Sequence, residues 1–279
     1  MTRRKTSLLE KAYLTLFMIL LYAPIVVLMV FSFNSSNSTS VMSGFSLKWY
    51  AELFRDGATI AAFRNTVVLA VVSAAFSTVF GLFSAIGINY TRSRWYKSSL
   101  LTTTNIPMMN PDIVTGISMM LLFVFAGTLM RRQGVLGFGT MLIAHITFQL
   151  PYVILNILPR FRAMDGYLTE AAQDLGCTPS QAFFKVTLPQ IRPGVIAGAI
   201  MAFTLSLDDF VISYFVSGPE FQTLPIRIYS MTKKRVTPDM YALSTLIFLV
   251  MLLLLIALNV IQNRAENGGR GKSGKQVEP

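Results

Sequence analysis

Six long apolar runs constrain this chain more than any other feature of its sequence. Residues 12–33, 66–90, 99–129, 136–159, 194–217 and 240–262 are each long enough to cross a bilayer, since about 20 helical residues span roughly 30 Å of hydrocarbon. With 53% apolar and only 13% charged residues among 279, the chain is too apolar for a single water-soluble domain. The expected class is an all-α membrane protein with six transmembrane helices. The first run follows Thr2-Arg3-Arg4-Lys5 but is too long for a signal peptide and lacks a small-residue cleavage site, so it is expected to stay attached.

The net charge of +11 is read through the positive-inside rule rather than as a nucleic-acid footprint. Arg92, Arg94, Lys97, Arg160, Arg162, Lys185 and Arg192 fall on one side, together with the charged ends of the chain, although Lys233, Lys234 and Arg235 fall on the other. That bias puts both termini and the polar segment 160–193 in the cytoplasm. The expected organisation is a cytoplasmic N-terminus (1–11), a six-span domain (12–262) and a disordered basic tail (263–279). The tail contains Gly-Arg-Gly-Lys-Ser, but Glu266 stands where a phosphate-binding loop needs its first glycine. The lone Cys177 permits no internal disulfide.

Segment 160–193 has helical order of its own. Glu170, Ala171, Ala172 and Leu175 lie at helical spacing, Gly176 is a natural stop, and Pro179 suits the first position of a second short helix. Phe183, Phe184 and Val186 give that helix an apolar face, and Pro189 is expected to end it. The prediction is a protruding pair of short amphipathic helices.

Within the spans, Asn110-Pro111-Asp112 reads as an N-cap, a first-turn proline and a first-turn acid, so a helix is expected to restart at membrane depth. Such breaks are tolerated where they line a cavity. His145 has no neighbouring Cys, Asp or Glu in sequence and is expected to make an interhelical hydrogen bond rather than hold a metal. Gly194, Ala197, Gly198 and Ala202 should let a neighbouring helix approach closely. Between the first two spans, Leu47–Phe54 suits an interfacial helix with Trp49 and Tyr50 at the headgroups.

Three acids lie at membrane depth: Asp112, Asp208 and Asp209. An ionised carboxylate there costs roughly 2.5–3.5 kcal/mol on insertion scales, and their spans contain no Lys or Arg. Asp112 and Asp208 stand at similar depth, so neighbouring spans would bring the acids into one anionic ring whose counter-ion is a passing cation. One His and one Cys do not make a metal site, and no Arg is available for an anionic substrate. Spaced carboxylates with aromatics suit an extended polyvalent amine.

Two sets of residues carry a resemblance. The run E-A-A-Q-D-L-G, nine residues, then V-T-L-P resembles the signature of inner-membrane permease subunits of ABC importers, with Val186 in place of an isoleucine. The stretches F-N-S-S, K-W-Y, P-D-I-V, H-I-T-F-Q-L-P, F-T-L-S-L-D-D-F-V and L-P-I-R-I-Y-S-M are similar to the second permease of spermidine/putrescine importers. The resemblance implies the fold of a type I ABC importer permease, with 160–193 as the coupling-helix loop. It implies that Glu170, Ala171, Ala172, Gly176, Leu188 and Pro189 contact a cytoplasmic ATPase. It implies further that Asp112, Asp208 and Asp209 meet substrate ammoniums, that Ser206 is a hydrogen-bond partner and that Trp49 lies at the external entrance. The implied partners are a homologous second permease, an ATPase homodimer and an external polyamine-binding protein. The chain itself would need no cofactor, ATP and Mg being bound by the ATPase. Two alternatives are an ABC permease for another solute, such as an iron complex, phosphonate or osmolyte, and a secondary transporter in which the three Asp carry protons.

Overall fold

The computed structural model describes residues 8–36, 41–233 and 238–273. The helices are α1 (Leu8–Phe31), α2 (Lys48–Leu53), α3 (Gly57–Tyr90), α4 (Arg94–Met109), α5 (Asp112–Leu129), α6 (Phe138–Ala163), α7 (Tyr167–Asp174), α8 (Pro179–Ala182), α9 (Leu188–Asp208), α10 (Val211–Val216), α11 (Leu224–Thr232) and α12 (Pro238–Ser273). A π-helical turn, Phe183–Thr187, joins α8 to α9. Among the described residues the only β pairing is an isolated bridge between Asn34 and Phe45. Six stretches are long and apolar enough to span a membrane: Leu9–Phe31, Gly57–Tyr90, Asp112–Leu129, Phe138–Ala163, Pro179–Asp208 and Asp239–Val260. The six expected spans are therefore present, and three of them differ in detail.

The third span breaks where expected but one residue out of register. Asn110 is extended (ψ 139°) and closes α4, Pro111 occupies the N-cap, and Asp112 is the first helical residue. The proline forces this, because its ring disfavours a helical conformation in the residue before it. No side chain caps α5; the Pro111 carbonyl accepts from the Val114 and Thr115 N–H groups.

The second short helix does not end at Pro189. Helix continues from Pro179 to Asp208, with Pro189 and Pro193 inside it. Pro189 sits at the second position of α9, directly after the π turn, where the change in hydrogen-bond pattern leaves little demand for its missing N–H. The fifth span is itself interrupted: α9 stops at Asp208, Asp209 is extended (ψ 118°), and α10 begins at Val211. At the C-terminus, α12 continues past residue 263 to Ser273, and 274–279 lie outside the described residues.

The chain forms two compact units. The larger holds Ala61–Ile226 together with Leu254 onward. Its main contact is α6 against α9, and small residues make it possible. A Cβ on Gly194 would lie 2.8 Å from the Asn156 carbonyl oxygen, and one on Gly198 would lie 3.3 Å from Val153 Cα. Gly81 of α3 approaches Val153 from another side, and Ala85, Ile157, Phe161, Ile191 and Ala202 complete this core. Here the expected small-residue seam is realised. On α5, Gly116 is where α10 comes closest: a Cβ there would lie 2.9 Å from the Phe215 ring and 3.4 Å from Ile212 Cα.

The smaller unit comprises Met1–Ile60 and Arg227–Leu253. Trp49 of α2 is only 7% exposed, and its indole N–H donates to the Asn34 carbonyl (2.7 Å). Tyr50 and Ser32 share a hydroxyl contact of 2.7 Å. Trp49 therefore packs into its own unit instead of resting at a surface as an interfacial ring. Asp56 caps the start of α3 through the Ala58 N–H and Thr59 hydroxyl, and it meets the Arg227 guanidinium at 3.1 Å. The Thr59 bond first, then Arg227 and Ala58, hold this carboxyl below its ordinary value of 3.8 despite some burial.

Two outcomes follow. Gly198→Leu must force α6 and α9 apart and should cost about 1–3 kcal/mol, read as a lower fraction of monodisperse protein in detergent. The folded carboxyl of Asp56 has a depressed pKa, so its stabilisation is present above 3.8 and fades as pH falls through the lower folded value. The melting-temperature gap between wild type and Asp56→Asn should thus be constant near neutrality and close on strong acidification.

Candidate functional site

The break between α9 and α10 is held by a buried line of polar side chains. Asp209 turns its carboxylate onto the exposed start of α10: Oδ1 accepts from the Ile212 N–H (3.3 Å) and Oδ2 from the Ser213 N–H (2.7 Å). An acid is well suited there, because the first amides of a helix lack intrahelical acceptors and carry partial positive charge. His145 of α6 lies beside it, with Nε2 3.5 Å from Asp209 Oδ2 and 3.0 Å from Ser213 Oγ. Its Nδ1 is 2.7 Å from Ser206 Oγ on α9. The imidazole is fully buried. This is the interhelical bonding expected of His145.

The line continues away from the break. Ser73 donates to Ser206 (3.2 Å), Gln149 Nε2 donates to Ser73 (3.1 Å), and Ser77 donates to Gln149 Oε1 (2.8 Å). Ser73 and Ser77 occupy one face of α3, and His145 and Gln149 one face of α6, each pair four residues apart. A carboxylate can only accept, so Asp209 beside Nε2 suits the ring proton on that nitrogen, which leaves Nδ1 to accept from the Ser206 hydroxyl.

The other two deep acids stand differently. Asp208, the last residue of α9, and Asp112, the first of α5, are both exposed. Among the described residues neither carboxylate bonds another side chain, and none of the three acids meets Lys or Arg. The half-helices that start just after the two breaks, α5 and α10, pack on each other. Of the expected pathway set, Ser206 is buried inside the polar line, Asp209 is tied down, Asp112 and Asp208 are open, and Trp49 belongs to the other unit.

The protruding segment is built as follows. Gly176 takes a left-handed conformation (φ +90°) after α7, which glycine adopts without strain. Thr178 and Gln181 form a reciprocal capping box around Pro179. Thr169 contacts Thr187 at 3.3 Å, tying α7 to the π turn. Glu170, Ala171, Gly176 and Pro189 are exposed, and Ala172 and Leu188 are half-buried. Tyr167, Leu175 (88% exposed) and Phe184 leave apolar surface uncovered.

Ser73, Ser77 and Ser213 were not singled out by the sequence reading. The signal was available: polar residues four apart in otherwise apolar helices mark an interhelical face.

Residues 77–268 match the family described as binding-protein-dependent transport system inner membrane component. This chain belongs to that family. It is 38% identical over 266 residues to the spermidine/putrescine transport system permease protein PotC of Escherichia coli strain K12, covering 95% of this chain and 97% of that protein. It is 41% identical over 228 residues to the putrescine transport system permease protein PotI of the same strain, covering 81% of each. The resemblance to polyamine permeases read from the motifs thus extends over most of the chain. Among solved structures, a chain of a bacterial ABC transporter that imports alginate superimposes with a TM-score of 0.71, covering 91% of this chain and 93% of that one, at 18% identity. A chain of the MetNI methionine ABC transporter gives 0.61 over 74% and 95%, also at 18%. These likenesses establish the fold as that of ABC importer permeases. Family membership and six spanning helices make the chain a multi-pass inner-membrane protein.

Gln149 is the central link of the polar line. Gln149→Leu leaves Ser73 and Ser77 short of partners and should cost about 1–2 kcal/mol, seen as a lower melting temperature of the purified protein in detergent.

Proposed function

We propose that this chain is the permease subunit of an ATP-driven importer that passes polyamines, spermidine or putrescine, from an external binding protein into the cell. The observation that carries the reading is a pair of unpaired carboxylates, Asp112 and Asp208, with no Lys or Arg in α5 or in the stretch of α9 from residue 194 to Asp208. A carboxylate at that depth needs a compensating positive charge, and a linear amine with spaced ammoniums can supply one to each. The names of the relatives point to the same class of solute. Asp112 and Asp208 take the ammoniums; Asp209 and Ser206 act beside them within the polar line, and Trp49 belongs to the external entrance.

The pore is completed by a homologous second permease. Both termini and the α7–α9 elbow face the cytoplasm, as the distribution of basic residues indicates. Glu170, Ala171, Ala172, Gly176, Leu188 and Pro189, with the bare apolar surface of Tyr167, Leu175 and Phe184, dock in the cleft of an ATPase homodimer. That ATPase binds ATP and Mg, and this chain breaks no bonds. Closure of the ATPase pushes the elbow, and α9, continuous with it, carries the push to the Asp208–Asp209 break.

Uptake of radiolabelled spermidine and putrescine by the reconstituted assembly tests this. Asp208→Asn and Asp112→Asn should each raise the transport KM about tenfold or more, as expected for losing a charge-assisted contact. Unchanged KM in both variants would overturn the carboxylate reading. Uptake that persists without the ATPase and collapses with an uncoupler would overturn the ATP-driven one.

A further inference from the structure

The adjacent acids at the α9–α10 break do different work. Asp209 has its oxygens engaged: the Ile212 amide on Oδ1, and the Ser213 amide and His145 Nε2 on Oδ2. Three of the roughly four acceptor positions of this carboxylate are taken and its side chain is only 10% exposed, which leaves little of it for an ammonium. Asp208 has no partner among the other described residues, its one contact being its own backbone N–H, and it is exposed. The difference arises from the break itself, since Asp209 leaves the helical conformation while Asp208 keeps it.

Asp209 is in turn held by His145. The ring is anchored at both nitrogens, to Ser206 on α9 and Ser213 on α10, so one imidazole from α6 grips both sides of the interruption. It cannot rotate without losing both bonds. Phe148 packs edge-to-face against it at 5.2 Å and closes one side. Ser73, Gln149 and Ser77 fix Ser206 from behind.

We propose that His145 is a positioning residue for transport: it clamps Asp209 across the first amides of α10, sets the geometry of the α9–α10 break, and leaves Asp208 as the one free carboxylate of the pair. The identity of the passing cation rests on the polyamine reading above; the clamp does not. Its role is mechanical and acts through Asp209, so it should govern how fast the break cycles and not how tightly the substrate is held.

The complete importer, with His145→Ala, His145→Gln, Asp209→Ala, Asp209→Asn and Asp208→Asn variants, provides the test. The first readout needs no substrate: amide hydrogen exchange at Ile212 and Ser213. Asp209→Ala and His145→Ala should speed exchange there by about tenfold, whereas Asp209→Asn, whose single amide oxygen can still accept from one of the two amides, should preserve part of the protection. The second is spermidine uptake. Asp209→Ala and His145→Ala should lower the maximal rate with little change in KM, Asp209→Asn should recover most of the loss seen with alanine, and Asp208→Asn should instead raise KM. His145→Gln, which keeps an N–H donor toward Asp209, should restore part of the rate and decides the matter if His145→Ala does not fold. Unaltered exchange at Ile212 and Ser213 in the His145 variants would overturn the clamp. Equal rises in KM for Asp208→Asn and Asp209→Asn would overturn the division of roles. If wild type carries no spermidine, the polyamine reading fails, and the exchange result still decides the clamp.

Discussion

Inside hydrocarbon, a polar group without a partner has no water to turn to, and the structure is arranged around that constraint. The apolar helices satisfy their own backbones and need little explanation. The informative places are where the chain departs from regular helix or carries a charge: Asn110-Pro111, the π turn at 183–187, and Asp208-Asp209. At the last of these the freed amides of α10 are met by Asp209, Asp209 is met by His145, and His145 is met by two serines. The polar line is the cost of interrupting a span, distributed over four helices.

That arrangement depends on close backbone approach elsewhere. Ser206 and His145 can bond only because α6 and α9 lie against each other along Gly194, Gly198 and Ala202. Larger residues on that seam would hold the helices apart, and the imidazole would lose its anchor on α9. The same helix α6 ends at Ala163, a few residues before α7 begins, and α9 is continuous with the elbow through the π turn. Both helices that grip the break are therefore the two that enter and leave the protruding segment.

Much of this was legible in the sequence, and the reasons differ from place to place. The six spans were readable because hydrophobic length is a strong signal. The Asn110-Pro111 break was readable because proline constrains its predecessor, though capping residues slipped by one. The small-residue seam and the interhelical role of His145 followed from the scarcity of polar and small residues in apolar runs. Pro189 misled because a proline normally stops a helix, and only the π turn ahead of it, invisible in composition, shows why it does not. The interruption at Asp209 was missed because no proline or glycine marks it: Leu207-Asp208-Asp209-Phe210 breaks through a side chain capping the next helix, which depends on His145 more than sixty residues away.

An importer's inner site has to bind weakly enough to let go. Three free carboxylates at one level would hold a polyamine tightly, since each charge-assisted contact in a low-dielectric setting adds on the order of 1.5–3 kcal/mol. In the proposed site, committing Asp209 to the helix start would take one of them away from the ligand while keeping its negative charge nearby. The remaining acids, Asp112 and Asp208, each stand at the edge of a helix interruption, where a change of angle alters the spacing between them. In the proposed site, a ligand with two separated ammoniums would be held or released by that spacing, with no change in the charge of the protein.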